Sequence, residues 1–371
     1  MAALFTPFQL KDVTLRNRIA IPPMCQYSAH EGYLSDWHAP HYASMARGGA
    51  GLVIVEATAV SPEGRITPGC AGLWEDGQIE GMARVASAIK AAGAVPGIQI
   101  GHAGRKASAN LPWEGDDHIA EGDRRGWPTL APSAIAFGAG LPKVPGEMTL
   151  DAIARVQADF VASAKRALAA GFQWLELHFA HGYLAQSFFS PVANQRTDRY
   201  GGSAENRGRF LLETLAAVRA VWPEHLPLTA RFGVVEYDGH DDSFYPEAAH
   251  LVRQMRDGGL DLIDASIGFS TLNSKAPWGP GFFVPVAARL KHDVQMPVAA
   301  SWCIDDPHMA EKAVAEGSMD LVLIARAHLA NPHYPYQLAI ALGEENPAWT
   351  LPAPYAHWLS RYRGPGKGAA Q

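Results

Sequence analysis

The strongest constraint in this sequence is a set of eight short apolar runs that alternate with helical patterns along the whole chain. Most of these runs are continuously apolar rather than alternating, which is typical of parallel strands covered on both faces. Eight such strands interleaved with helices favour an α/β fold, a (β/α)8 TIM barrel, over a doubly wound sheet. The predicted strands are Arg18–Met24, Gly51–Val60, Val95–His102, Trp174–His181, Leu228–Gly233, Leu262–Ile267, Pro297–Trp302 and Leu321–Arg326.

Capping residues mark the ends of several helices. Glycine suits the left-handed turn after a helix, so Gly93 and Gly171 are predicted to end helices over residues 76–92 and 149–170. Further helix starts, each at a residue typical of an N-cap, are predicted at Thr149, Ser203 (running to Val221) and Asp306.

One connection is much longer than the others. Residues 103–147, after the third strand, are rich in Gly, Pro, Trp and charge and contain no predicted helix. Long insertions after a barrel strand lie over the active-site mouth, so this segment is expected to form a lid. We predict a single domain over residues 1–363, followed by a disordered tail over residues 364–371.

Composition narrows the class of function. A length of 371 residues fits one large barrel, and a formal charge of -6 argues against a nucleic-acid or anionic-membrane surface. The first residues lack the pattern of a signal peptide, and no apolar run is long enough to span a bilayer. Three scattered cysteines favour a reducing cytoplasm over a disulfide framework. A small-molecule protein is the resulting expectation.

Two histidines and a tyrosine stand together where the fourth predicted strand ends. His178, His181 and Tyr183 follow the apolar run 174–177. Imidazoles donate hydrogen bonds to a substrate oxygen and a phenol gives up a proton, so together they can polarise a carbonyl and complete its reduction. Barrel enzymes place reacting groups at the carboxyl ends of their strands, which predicts that the other strand ends join this site.

The other strand ends carry amides, aromatic rings, sulfur and two arginines, with few carboxylates. That shortage argues against a divalent-metal hydrolase or a glycosidase, and no metal site is predicted. Arg231 and Arg326 follow apolar strands, and because an unpaired buried guanidinium is costly, each is expected to meet an anion or another acceptor. The strand-end residues are Pro23 to Tyr27, Glu56 to Thr58, Gln99 to His102, Arg231, Ser266, Ser301 to Cys303, and Arg326.

Apart from the two arginines, several of these residues also have a simpler interpretation. A His-x-x-His pair alone is more often two hydrogen-bonded core histidines, or part of a metal site that here lacks a third ligand. Tyr183 alone is typical of a packed aromatic, and Cys25 of a small buried apolar residue. Trp302 and Trp358 are equally compatible with ordinary packing. Only the combination favours a functional site.

The combination resembles a known family. From Leu4 to about Arg363 the chain is similar to the old yellow enzymes, which are flavin-dependent ene-reductases, and within them to the smaller bacterial branch that includes the xenobiotic reductases. Many motifs match in order over the whole length, which makes the resemblance far more specific than any single motif. The motifs occupy residues 17–27, 56–65, 99–105, 178–183, 196–203 and 351–358.

The resemblance implies FMN at the barrel mouth. The phosphate would bind backbone N–H groups around Cys303 and Ala325, with the Arg326 guanidinium as counter-charge. Gln99 would hydrogen-bond the pyrimidine edge of the flavin, and Arg231 would lie near ring N1, where a fixed cation favours hydride acceptance. The residues expected to line the ring are Pro23, Met24, Cys25, Ala57, Ser301 and Trp302. Cys25 would tune the flavin potential rather than act as a nucleophile.

The resemblance also implies the reaction. An NADPH-dependent ene-reductase reduces the C=C bond of α,β-unsaturated carbonyl or nitro compounds, and related enzymes act on nitrate esters. His178 and His181 would hold the substrate oxygen, flavin N5 would deliver hydride, and Tyr183 would protonate the α-carbon. The side chains expected to shape the pocket are Tyr27, Tyr183, Trp302 and Trp358.

The resemblance further implies that NADPH and substrate use one pocket in turn, with ping-pong kinetics. The absence of a Gly-x-Gly-x-x-Gly motif after any predicted strand fits this, because no separate dinucleotide fold is indicated. Trp358 is expected from a neighbouring subunit, and on that condition the protein is predicted to be a homodimer or a larger even homo-oligomer.

Two positions depart from the family pattern. Cys303 and Ala325 stand where related chains commonly have glycine at the phosphate turns, and each adds a Cβ where backbone must approach an anion. The hypothesis that follows is weaker or slower-exchanging FMN, not loss of binding.

Two other classes of function remain open. A flavin-dependent amine dehydrogenase of the same superfamily would need an iron–sulfur cluster, and three scattered cysteines cannot supply four thiolates. A non-redox barrel, either a lyase or a binding protein, would leave Gln99 and the two arginines without a common target. It predicts a colourless protein.

Overall fold

The computed structural model describes residues 1–362, so the predicted tail over residues 364–371 lies outside the described residues. The strands are β1 (Phe8–Leu10), β2 (Val13–Leu15), β3 (Ile19–Ile21), β4 (Leu52–Ala59), β5 (Val95–Gly101), β6 (Leu130–Ala131), β7 (Gly146–Glu147), β8 (Trp174–Phe179), β9 (Leu228–Val235), β10 (Leu262–Ile267), β11 (Val298–Ala300) and β12 (Leu321–Leu323). The α-helices are α1 (His38–Arg47), α2 (Ile79–Ala91), α3 (Leu150–Ala169), α4 (Leu184–Phe189), α5 (Ala204–Arg219), α6 (Asp241–Asp257), α7 (Val284–Val294), α8 (Pro307–Ala315), α9 (Arg326–Ala330), α10 (Tyr334–Ala341) and α11 (Ala353–Leu359).

The predicted barrel is confirmed. Eight strands close in the order β10-β11-β12-β3-β4-β5-β8-β9, and each pair of neighbours is parallel. Every residue of β8, β9 and β10 is buried, which accounts for their continuous apolar character. Parallel closure brings the carboxyl ends of all eight strands to one rim, so side chains far apart in sequence meet there.

Backbone conformation explains several errors in the predicted strand ends, although not that of β9, which runs to Val235 rather than to Gly233. β3 stops before Pro22 and Pro23, which have no N–H to give to a neighbouring strand. β11 stops early because Trp302 and Cys303 take left-handed φ angles of +77° and +54°. β12 is shorter than predicted because Arg326 already belongs to α9. β10 has the predicted bounds.

The capping residues behave as predicted. Gly93 and Gly171 have φ of +84° and +89° directly after their helices. The first turn of the segment predicted over residues 76–92 is a 3-10 helix, and α5 ends at Arg219 rather than at Val221. The N-cap oxygens of Thr149, Ser203 and Asp306 each accept a backbone N–H three residues on, at 3.1, 3.2 and 2.9 Å.

The insertion over residues 103–147 has no α-helix, as predicted. It contains two 3-10 turns and the two-residue strands β6 and β7. The predicted elements do not include the β1–β2 hairpin, in which Phe8 pairs with Leu15 ahead of the barrel. Among residues 1–362, no helix combines the length and the apolar character needed to cross a bilayer.

Candidate active site

The two histidines and the tyrosine do converge at the end of β8. His178 lies on the strand, and the chain then turns so that the ring centroid of His178 is 5.0 Å from that of His181 and 5.0 Å from that of Tyr183. The turn depends on a left-handed φ of +63° at His181 and on Gly182, where a Cβ would lie 2.3 Å from the Phe269 carbonyl oxygen. The predicted strand end at His181 is therefore two residues too long.

Lys106 fixes this turn from the insertion. Its Nζ donates hydrogen bonds to the carbonyl oxygens of His181, at 2.7 Å, and Phe269, at 2.9 Å. It lies 4.0 Å from the centroid of the Phe137 ring. Burial, followed by the nearby Arg105, lowers the pKa of Lys106 to about 7. The prediction of site residues missed Lys106, although its place just after a strand end was a usable signal.

Both imidazoles are neutral near pH 7. Burial, followed by Arg231 and Lys106, lowers the pKa of His178 to about 3, and burial also lowers that of His181 well below its ordinary value. Nδ1 of His178 accepts the Ala180 N–H at 3.4 Å, so its proton resides on Nε2, which is left to donate. Nε2 of His181 instead meets the Ser266 hydroxyl at 2.9 Å.

The Cys25 thiol and the two tyrosines stay protonated. Burial raises the pKa of Tyr183 and Tyr27 above the ordinary value, and raises that of Cys25 well above its own. A protonated thiol is a poor nucleophile, in keeping with the tuning role expected for Cys25. The backbone between Cys25 and Tyr27 is held by Glu56, whose carboxylate accepts the Gln26 N–H at 2.8 Å.

A cavity of about 270 Å³ opens beside these groups. Nine of the predicted site residues line it: Pro23, Met24, His181, Arg231, Ser301, Trp302, Cys303, Ala325 and Arg326. Ala57 lines a much smaller space together with His178 and Tyr183. Gln99 is buried inside the barrel, where its Nε2 donates to Glu176 at 2.8 Å. The ring of Tyr27 packs against Trp113 of the insertion, with centroids 6.0 Å apart.

Trp358 does not join this cavity within the described chain. It lies on α11, 69% exposed, and lines a separate cavity of about 920 Å³ at the C-terminal end of the described residues. Trp302 in contrast faces the site, where its Nε1 donates to Ser266 at 3.2 Å and its ring lies 5.9 Å from that of His181.

The donors around the cavity suit a phosphate and an anionic ring. Arg326 opens α9 three residues after the end of β12, and the first N–H groups of a helix have no partner within it. Arg231 lines the same cavity from β9. Backbone N–H groups with the Arg326 guanidinium suit a phosphate and the Arg231 guanidinium suits an anionic ring, so the residues present fit FMN.

Two carboxyl groups inside the barrel, Glu176 and Asp264, were not predicted, and with Glu56 they correct the prediction that acid is scarce here. Glu56, Glu176 and Asp264 are all buried. Asp264 lies 3.1 Å from Nε of Arg231, so that arginine already has an anion in the protein. A lone charge in the apolar run of β10 was the signal. Among the described residues, no group of three or more His, Cys, Asp or Glu side chains is placed to hold a metal ion.

Comparisons with known proteins place this geometry among flavin oxidoreductases. The sequence profile of the NADH:flavin oxidoreductase / NADH oxidase family matches residues 3–345. An NADPH dehydrogenase of Bacillus velezensis is 42% identical over 349 residues, which cover 93% of this chain and 96% of that protein.

Two solved structures share the barrel. Morphinone reductase has a TM-score of 0.77 at 26% identity, over 92% of this chain and 90% of its own. A 2-naphthoyl-CoA reductase complex has a TM-score of 0.82 at 26% identity over 91% of this chain, which spans only 52% of that longer protein.

Proposed function

Because this chain belongs to the NADH:flavin oxidoreductase / NADH oxidase family, and within it is of the old yellow enzyme type, we propose that it is an FMN-dependent ene-reductase. It takes electrons from NADPH and reduces the C=C bond of α,β-unsaturated carbonyl or nitro compounds. The observation that carries the proposal is the convergence of His178, His181 and Tyr183 beside a cavity lined by Arg231 and Arg326.

Each site residue has its own role in the proposed reaction. When bound, FMN supplies the group that accepts a hydride and passes it on. Nε2–H of His178 and the imidazole of His181 hold the substrate oxygen and stabilise the charge that develops on it. The Tyr183 hydroxyl gives its proton to the α-carbon. Arg326 and the backbone N–H groups at the start of α9 bind the phosphate.

The proposed assembly and location rest on Trp358 and on the cysteines. The exposure of Trp358 supports its use by a second copy of the chain, in a homodimer or larger even oligomer. All three cysteines are free, which supports a reducing compartment such as the cytoplasm.

A visible spectrum tests the proposed function directly. Purified protein is recorded without oxygen, after NADPH, and again after cyclohexenone. We expect yellow protein whose bands bleach with NADPH and return with the enone. Bleaching without recovery would contradict the substrate class, and protein that stays colourless after incubation with FMN would overturn the flavoprotein itself.

The phosphate turns give a separate prediction. Cys303 has the left-handed φ of +54° that favours glycine, whereas Ala325 has φ of −96°, which any residue adopts. Cys303→Gly is therefore expected to raise both the melting temperature and the FMN affinity, and Ala325→Gly to raise the affinity alone. Fluorescence titration of apoprotein measures the affinity, with Cys70→Ala as a control in a buried cysteine that does not line the cavity. Unchanged affinity in both glycine variants would contradict the Cβ argument.

A further inference from the structure

A buried ion pair lies directly behind the cavity. Arg231 on β9 and Asp264 on β10 are neighbours in the register of the barrel, and Nε of Arg231 lies 3.1 Å from Oδ2 of Asp264. The Arg231 side chain lines the cavity and Nη2 also donates to Ser301 at 2.8 Å. Asp264 is 0% exposed and is not among the cavity-lining residues, so its contact with the cavity is made through the arginine.

The negative charge of this region resides on Asp264. The second buried carboxyl, Glu176 on β8, accepts a hydrogen bond from Gln99 at 2.8 Å. Burial and then Asp264 raise the pKa of Glu176, so Glu176 takes up a proton first. Burial also raises the pKa of Asp264, but Arg231 acts against that rise by holding the carboxylate in an ion pair. Asp264 and Arg231 together therefore carry no net charge.

Asp264 is also poorly satisfied. Neither Oδ1 nor Oδ2 has a well-formed hydrogen bond within residues 1–362, although the side chain is fully buried. A buried carboxylate held by one ion pair alone is expensive compared with an apolar side chain of similar volume. Packing does not account for a charge at this position, so an electrostatic effect on the cavity is the better explanation.

We propose that Asp264 sets the reduction potential of the bound flavin by offsetting the charge that Arg231 presents to the cavity. The proposal rests on the proposed function, since it requires a flavin beside Arg231. An uncompensated arginine would stabilise the negative charge of a reduced flavin, whereas an ion pair presents a dipole whose field falls off faster. Asp264 touches neither flavin nor substrate and acts as a tuning residue.

Asp264→Asn tests the proposal in the FMN-loaded protein. The midpoint potential, measured anaerobically against a reference dye, is expected to become more positive. Stopped-flow kinetics should show the two half-reactions moving severalfold in opposite directions, with flavin reduction by NADPH faster and alkene reduction slower. A purely structural role would slow both.

The chain offers a matched control at the other end of the same strand. Asp261, just before β10, pairs with Arg219 at the same 3.1 Å and with Lys11 at 3.2 Å, and its side chain is 8% exposed. Asp261→Asn removes a carboxylate of the same strand that pairs with arginine away from the cavity, and it should leave the potential unchanged. Because Asp264→Asn leaves Arg231 unpaired, Asp264→Ser serves as a second variant whose smaller side chain leaves room for water.

The outcomes separate the two proposals. Wild-type protein that neither binds FMN nor is reduced by NADPH would overturn the proposed function. Wild-type protein that does both, with unchanged potentials in Asp264→Asn and Asp264→Ser, would overturn the tuning role alone. Loss of folding in both variants while Asp261→Asn folds would assign Asp264 to stability and equally overturn it.

Discussion

Tyr183→Phe is expected to slow alkene reduction by about 10²–10⁴-fold, the range that a positioned general acid contributes, while flavin reduction by NADPH changes little. The ring of Tyr183 lies 5.0 Å from that of His178, so the hydroxyl can reach a substrate whose oxygen that histidine holds. Burial raises the pKa of Tyr183, which keeps the donor protonated, so no loss of rate from this group is expected below about pH 10. Anaerobic stopped-flow measurement of each half-reaction checks both statements.

Tyr27→Phe is the matched control for this prediction. Burial raises the pKa of Tyr27 as well, but its ring packs against Trp113 and contacts neither histidine ring. Its loss is expected to alter substrate affinity more than the rate of proton transfer. Equal slowing of both half-reactions in Tyr183→Phe would remove Tyr183 from the donor role, and so would an equally large effect of Tyr27→Phe on alkene reduction alone.

The barrel was predictable because each of its strands is marked in the sequence by a local apolar run. β10 has the predicted bounds since its apolar run is flanked by turn residues on both sides. The errors fall where one residue's backbone conformation decides the outcome, as at Trp302 and Cys303, whose positive φ ends β11 early. A local pattern of apolar residues carries no information on such angles. The β1–β2 hairpin was overlooked although Phe8 to Leu15 alternates apolar and polar residues around a tight turn.

The sequence predicts which distant residues meet at the site only because it predicts the barrel. Parallel closure alone indicates that His178, Arg231 and Arg326 reach one rim. Closure of the barrel does not predict the partner of Arg231, because Asp264 meets it only through the register of β9 with β10. Closure of the barrel does not predict the position of Lys106 either, since its two hydrogen bonds depend on how the insertion folds back over the strand ends. Register and loop conformation are tertiary properties, which explains why these side chains were missed.

Removing both imidazoles is expected to remove most of the hydrogen bonding to the substrate oxygen. For His178→Ala with His181→Ala we expect alkene reduction to fall by at least about 10²-fold, the typical loss for one donor to a developing oxyanion. Binding of phenols, whose oxygen resembles that of an enolate, should weaken in parallel. Loss of their charge-transfer bands in a titration of the oxidised protein measures this without turnover.

The paired asparagine variant, His178→Asn with His181→Asn, separates donation from packing. An amide N–H replaces the neutral imidazole donor, so phenol binding should recover in part if donation matters. If the alanine variant loses binding because of the cavity it leaves, any side chain of similar size would restore binding. His178→Leu with His181→Leu supplies that size without a donor. Recovery with leucine, or phenol bands unchanged in the alanine variant, would contradict the role of the two histidines in holding the oxygen. Recovery with asparagine alone would establish that their N–H groups bind it.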